Sequence, residues 1–168
     1  MSSDCNQPRA SAVHLNVLSE SQLNNSVLDL LKVAGDPAQG LGQSLDDVSL
    51  EQRAGVAASI ATQAVTNLAG WAPCAATAPG CEQAIIDKVG TSAYRRPLTE
   101  VERANMTTLF DAGVKEKDFA TGVEWFLTGL LQSPYFVYQV VRPDAAEKAG
   151  EVRALSAYEL AARPSYFV

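Results

Sequence analysis

Three observations predict an all-α chain, an irregular bundle of about five helices with a short C-terminal helix. First, helix-start signatures recur: Ser19-x-x-Gln22, Ser49-x-x-Gln52 and Thr99-x-x-Glu102 each precede apolar residues at three- and four-residue spacing. Second, the glycine and proline clusters at Gly35-Asp36-Pro37, Ala78-Pro79-Gly80 and Arg96-Pro97 fall between those periodic runs. Third, only residues 135–141, Y-F-V-Y-Q-V-V, are β-branched and aromatic enough to read as a strand. With no second strand to pair with, that segment is expected to be an apolar extended or helical piece packed back on the bundle.

In chain order, Ser19 caps the first helix, Gln22 reaches back to it, and Leu18 is placed to staple Leu23. Leu23, Val27, Leu30 and Leu31 form its apolar stripe, which ends at Gly35-Asp36-Pro37, and residues 35–47 read as a loop. Ser49 is expected to cap the second helix, with Leu50, Ala54, Ala57, Ala61, Ala64, Val65 and Leu68 buried up to Gly70. So much alanine predicts close helix–helix approach, and Trp71 is placed to cover the last turn. Cys81 opens a third helix with Ile85, Ile86, Val89 and Ala93 on one side, and Pro97 forbids its continuation. The fourth, capped by Thr99, carries Met106, Leu109, Phe110 and Val114. Asp118 caps a fifth with the cleanest periodicity: Phe119, Val123, Phe126, Leu127, Leu130 and Leu131, closed by Ser133-Pro134. Ser156-x-x-Glu159 caps the final short helix, interrupted by Pro164.

The chain's 168 residues suit one domain, or two small helical lobes sharing a core. At 47% hydrophobic and 19% charged, it has enough apolar side chain for a core and too little charge for a disordered polymer. A net charge of -6 argues against nucleic acid, which rewards clustered Lys and Arg, so a helix–turn–helix reading around Arg95–Thr99 is disfavoured. No apolar run approaches the roughly 20 residues that a transmembrane helix needs. The opening M-S-S-D-C-N-Q-P-R has neither a basic start nor an apolar core, so it is not a secretory signal as it stands.

Of the three cysteines, Cys74 and Cys81 enclose A-A-T-A-P-G, a small-residue turn able to bring the two side chains together. A disulfide there would clip a helix–helix corner, contributing ~2–4 kcal/mol, toward the low end for so short a loop. The alternative is two unpaired thiols. Six intervening residues exceed the usual two to four of zinc-binding pairs, and His14 is the only histidine, so no metal site is expected. C-x-x-C-H is absent, which excludes covalent haem by that route, and no cofactor is expected.

Arg95-Arg96-Pro97 is a candidate anion-binding site, with guanidinium groups beside the N-terminus of the Thr99 helix. The competing reading has both arginines bind the last carbonyls of the preceding helix and pair with Glu100 or Glu102. Tyr158, Glu159, Arg163 and Tyr166 form a second polar group, but their helical spacing favours ordinary packing and an i, i+4 Glu159–Arg163 pair. His14 lies in the N-terminal lead-in without a G-x-S-x-G to serve, and no carboxylate pair is singled out for acid–base work. The sequons Asn24-Asn25-Ser26 and Asn105-Met106-Thr107 both fall inside predicted helices. Trp71, Trp125, Phe126 and the tyrosines at 135 and 138 read as core. No catalytic residue is predicted.

The order A-Y-R-R-P-L-T-E-V-E (93–102), L-L-Q-S-P-Y-F-V-Y-Q-V-V (130–141) and L-S-A-Y-E-L-A-A-R-P-S-Y-F (155–167) resembles a bacterial family of large multi-domain proteins. That family is defined only as domains of unknown function, is best known from planctomycetes and myxobacteria, and is often fused to or encoded beside c-type cytochromes. Residues 18–31 look like its N-terminal signature, residues 50–81 like the alanine-rich helix and paired cysteines of its myxobacterial branch, and residues 155–168 like the opening of its next, larger domain. Two positions depart from the pattern: Gln139 stands where arginine is usual, and Pro164 where the family has an apolar helical residue, a change worth on the order of 3 kcal/mol in a helix interior.

The resemblance implies a flexible N-terminus over 1–14, a helical region over 15–80, a helical domain over 81–142, a linker over 143–154, and the truncated start of a following domain over 155–168. It also implies a periplasmic or cell-envelope location, which suits a Cys74–Cys81 bridge, and a remnant, split or truncated gene whose true beginning lies upstream. The expected function is a non-catalytic structural or interaction module of a multi-domain envelope protein. Its partners would be other domains of the family or a c-type cytochrome, with no nucleic acid and no transmembrane segment. The alternative is the N-terminal half of a periplasmic cytochrome-linked enzyme, redox or carbohydrate-related.

Overall fold

The computed structural model describes residues 17–41, 47–76, 78–138 and 157. Among them the chain is all-α: α1 (Glu20–Leu31), α2 (Asp47–Thr66), α3 (Leu68–Trp71), α4 (Cys81–Tyr94), α5 (Glu100–Glu116), α6 (Phe119–Gln132) and α7 (Pro134–Val137). The five long helices are those the periodicity predicts, and two single turns, α3 and α7, are added at corners. Cys5, His14, Gln139, Tyr158, Glu159, Arg163, Pro164 and Tyr166 lie outside the described residues, as do the proposed linker and, apart from Ala157, the final short helix.

The caps form as their chemistry demands. Ser19 accepts from the Gln22 amide while the Gln22 side chain accepts from Ser19 N–H, at 3.3 and 3.0 Å. Thr99 and Glu102 repeat the exchange at the head of α5, and Asp118 accepts from the Thr121 amide at the head of α6. Each exchange satisfies first-turn amides that an α-helix leaves unbonded. α1 stops three residues before the predicted breaker, because Lys32 takes the left-handed conformation at φ 55° and closes the helix with its own N–H on Leu28. The loop behind it is pinned from α1: Asn24, itself buried, accepts from Ala38 N–H and donates to Asp36, and Glu20 accepts from Gly40 N–H.

α2 corrects the sequence reading most. It starts at Asp47, so Ser49 lies inside the helix and is buried instead of capping it, and Leu50 is 51% exposed. The buried face runs through Ser49, Ala57, Ile60, Ala61 and Ala64. Ala57, Ala61 and Ala64 are buried as predicted, with Val65 and Leu68 partly buried beside them, while Ile60 and Ser49 join the face in place of Leu50. Five alanines spread around this helix blur the contrast that normally marks a face. Trp71 sits where predicted: it is buried and its indole N–H donates to the Ala64 carbonyl at 2.9 Å, over the last turn of α2.

α6 is the central helix. It packs along α5 on one side and α2 on the other, while α4 leans on α5, α1 and α7. Val123, Phe126, Leu127, Leu130 and Leu131 are buried as expected. On α5, Met106 and Phe110 are buried, whereas Leu109 and Val114 lie at the edge, 40% and 38% exposed, beside the glycines of α6. Trp125, read from sequence as core, is 41% exposed, because it stands on the outward side of α6 between its two packed faces. Within the strand-like segment, residues 135–137 belong to the single turn α7, with Phe136 buried. Beyond it Tyr138 forms an isolated antiparallel bridge with Val17, so the missing strand partner is the lead-in to α1.

A disulfide joins Cys74 to Cys81 and ties the segment after α3 to the first residue of α4. The chain-entropy cost lifted from so short a loop amounts to about 2.5 kcal/mol. Replacing both residues by serine should therefore lower unfolding stability by about that much, read from the denaturant midpoint, with any rise in m-value reporting the freer unfolded chain.

Candidate functional site

The motif residues of the sequence meet at one place, the corner where α4 hands over to α5 and α6 to α7. α4 ends at Tyr94, and Arg95 follows in the left-handed conformation at φ 54°, turning the chain so that Arg96-Pro97 leads away from the helix. A left-handed non-glycine residue costs roughly 1–2 kcal/mol, so this turn is held by its surroundings. Arg95 supplies part of that hold, reaching the Ser26 hydroxyl on α1 at 3.2 Å and the Ala93 carbonyl at 3.5 Å.

Arg96 is held by a carboxylate and two rings, with its side chain 22% exposed. Its two terminal nitrogens donate to the two carboxylate oxygens of Glu102 at 2.9 and 2.7 Å, a fork-to-fork pair. Its guanidinium carbon lies 5.4 Å from the Tyr94 ring centre and 5.1 Å from that of Tyr135, within cation–π range of both. The two rings are 5.3 Å apart, and Tyr94 O–H donates to the Ser133 hydroxyl at 2.8 Å. Ser133 in turn closes α6 and opens α7, accepting from the Tyr135 amide. Glu102 also completes the capping box with Thr99. One knot thus joins R-R-P-L-T-x-x-E to S-P-Y.

The electrostatics follow the contacts. The paired Arg96, reinforced by Thr99, holds the Glu102 carboxyl at about 2, well below its ordinary 4.5, and Glu102 raises the guanidinium in return. Burial pushes the Tyr94 phenol above 10, with the Ser133 hydrogen bond opposing. A carboxylate depressed by folding stabilises the fold above its unfolded value and loses that contribution as pH falls toward the folded one. Acid unfolding should therefore show wild type losing its advantage over Glu102→Gln between about pH 4.5 and pH 2, with the two curves parallel at neutral pH.

Sequence reasoning named Arg95 and Arg96 and, as partners for either, Glu100 or Glu102; the structure pairs Arg96 with Glu102. Sequence reasoning missed Ser26, Ser133 and the two tyrosines as members of the same cluster. The only signal for them was their place inside the motif strings themselves. For Arg96 the geometry is that of the pairing alternative. Elsewhere, Arg103 pairs with Asp87 at 2.7 Å across α5 and α4. Burial and Asp111 raise the carboxyl of Glu82. Among the described residues no three His, Cys, Asp or Glu side chains are grouped to hold a metal, and no helix is long and apolar enough to cross a membrane. A cavity of about 20 Å³ between α1, α2, α6 and α7, lined by Leu18, Val56, Ile60 and Phe136 with Arg53, has room for roughly one water.

Residues 81–140 match the family model described as PSD5, protein of unknown function (DUF1595). That span runs from the disulfide's second cysteine to just past α7 and contains Tyr94, Arg96, Glu102, Ser133 and Tyr135. No curated protein and no solved structure matches the chain.

Proposed function

We propose that this chain is a non-catalytic helical module that supports or docks other domains of a multi-domain protein in an oxidising compartment such as the bacterial envelope. The observation that carries this reading is the state of the motif residues: Tyr94, Arg96, Glu102, Ser133 and Tyr135 are engaged with one another. A guanidinium flanked by two rings and paired to a carboxylate is a fastener, and it leaves Arg96 poorly placed to receive a substrate anion. The disulfide supports an oxidising location. Partners are proposed to be neighbouring domains of the same family or a c-type cytochrome.

The test replaces Arg96 by alanine in a protein that contains this segment and compares stability with activity. Loss of the charge-assisted pair and exposure of the rings should cost about 2 kcal/mol, and any turnover of the whole protein should fall only with its folded fraction. Turnover abolished with the unfolding curve unchanged would establish Arg96 as a functional group and overturn the proposal.

A further inference from the structure

We propose that the Cys74–Cys81 bridge is a directional redox clip, opened by a small thiol at Cys74 with Cys81 as the leaving thiolate, and coupled to the seating of Trp71. The direction follows from access. Cys81 is 2% exposed and sits in the hydrophobic core, whereas Cys74 is only partly buried in the loop. A thiolate must reach one sulfur in line with the S–S bond, and Cys74 is the less buried of the two residues.

The departing sulfur is equally specified. Cys81 is the first residue of α4, a 14-residue helix whose N-cap, Gly80, has no side chain to bond the first-turn amides. A thiolate formed at that position lies at the positive end of the helix dipole, the placement that stabilises thiolates and speeds their departure. In the first step the incoming thiolate bonds to Cys74 sulfur, and the S–S electron pair leaves on Cys81. In the second step another thiolate attacks the mixed disulfide, releasing Cys74 thiolate and a small-molecule disulfide. Two thiols are oxidised, the protein disulfide is reduced by two electrons, and protons equilibrate with water.

What the clip controls is also visible. Among the described residues, three links besides packing fasten the segment from α3 to Cys74 to the bundle. Trp71 N–H donates to the Ala64 carbonyl, Lys88 on α4 donates to the Trp71 carbonyl at 2.8 Å, and the disulfide is the third. Opening the bridge removes the covalent link three residues from Trp71 and lets the indole loosen from the end of α2.

The experiment uses the full chain carrying Cys5→Ser, which removes the remaining thiol, and Trp125→Phe, which leaves Trp71 as the sole indole reporter. The native protein is held in glutathione redox buffers, quenched in acid, and the adduct located by peptide mass spectrometry while indole emission is followed. The expected result is a glutathione adduct on Cys74 in about tenfold or greater excess over Cys81, with a red shift of Trp71 emission that reverses on reoxidation. An adduct predominantly on Cys81, reduction only after denaturant is added, or emission unchanged by reduction would each overturn the proposal.

Discussion

Phe110→Ala is expected to remove about 4 kcal/mol of unfolding stability, a large part of what a domain of this size possesses. The ring is fully buried on α5, stands edge-on to Phe119 at 5.2 Å and lies 6.4 Å from Phe126 of α6. Truncation forfeits the transfer energy of the ring and leaves a cavity bounded by two helices that cannot collapse into it. Leu109→Ala, one residue away, should cost less than about 1 kcal/mol, since Leu109 is 40% exposed at the edge of the same interface. Equilibrium denaturation of the two variants gives the comparison directly. Comparable losses would mean that α5 faces α6 with a different side.

The second large effect is expected at Gly113. A β-carbon there would lie 2.6 Å from the Thr121 carbonyl oxygen and 2.8 Å from the α-carbon of Gly122. Both obstacles are backbone, so α5 and α6 must move apart, and Gly113→Val should cost about 3 kcal/mol despite valine's better helix propensity. Gly55 on α2 has nothing within 4 Å of the same position. Gly55→Val should therefore stay within about 0.5 kcal/mol of wild type, or gain slightly. Because Gly113 and Gly122 face each other, substitutions at the two sites should be non-additive: once the helices have separated, the second change costs less. Thermal or chemical unfolding of the single and double variants measures this coupling.

The proposed function and the redox clip call on different parts of the chain. The Arg96 knot fastens the far end of α4, near Tyr94, whereas the disulfide fastens its beginning at Cys81. Loss of either should leave the other's signature intact: Arg96→Ala keeps the glutathione exchange at Cys74, and reduction keeps the acid profile set by Glu102.

The five long helices, the buried sides of α1, α4 and α6 and the caps at Ser19, Thr99 and Asp118 were readable from residues alone, because each depends on contacts no more than a few positions apart. A hydroxyl three residues before a glutamine or glutamate and an apolar side chain every third or fourth position are local statements, and local hydrogen bonds realise them. On α2 the burial of Ala57, Ala61 and Ala64 was readable, but the burial of Ser49 and the exposure of Leu50 were not, since only packing against the rest of the bundle decides them. The outward turn of Trp125 and the Val17–Tyr138 bridge likewise depend on what the fold brings near. The same holds for the knot. Its arginine and glutamate are neighbours in sequence, but the Ser133 that takes the Tyr94 hydrogen bond lies 39 residues from Tyr94. Cap chemistry and periodicity act over a single helical turn. Packing of one helix against another is a property of two surfaces, and it decided where the motif side chains met and what remained open to solvent.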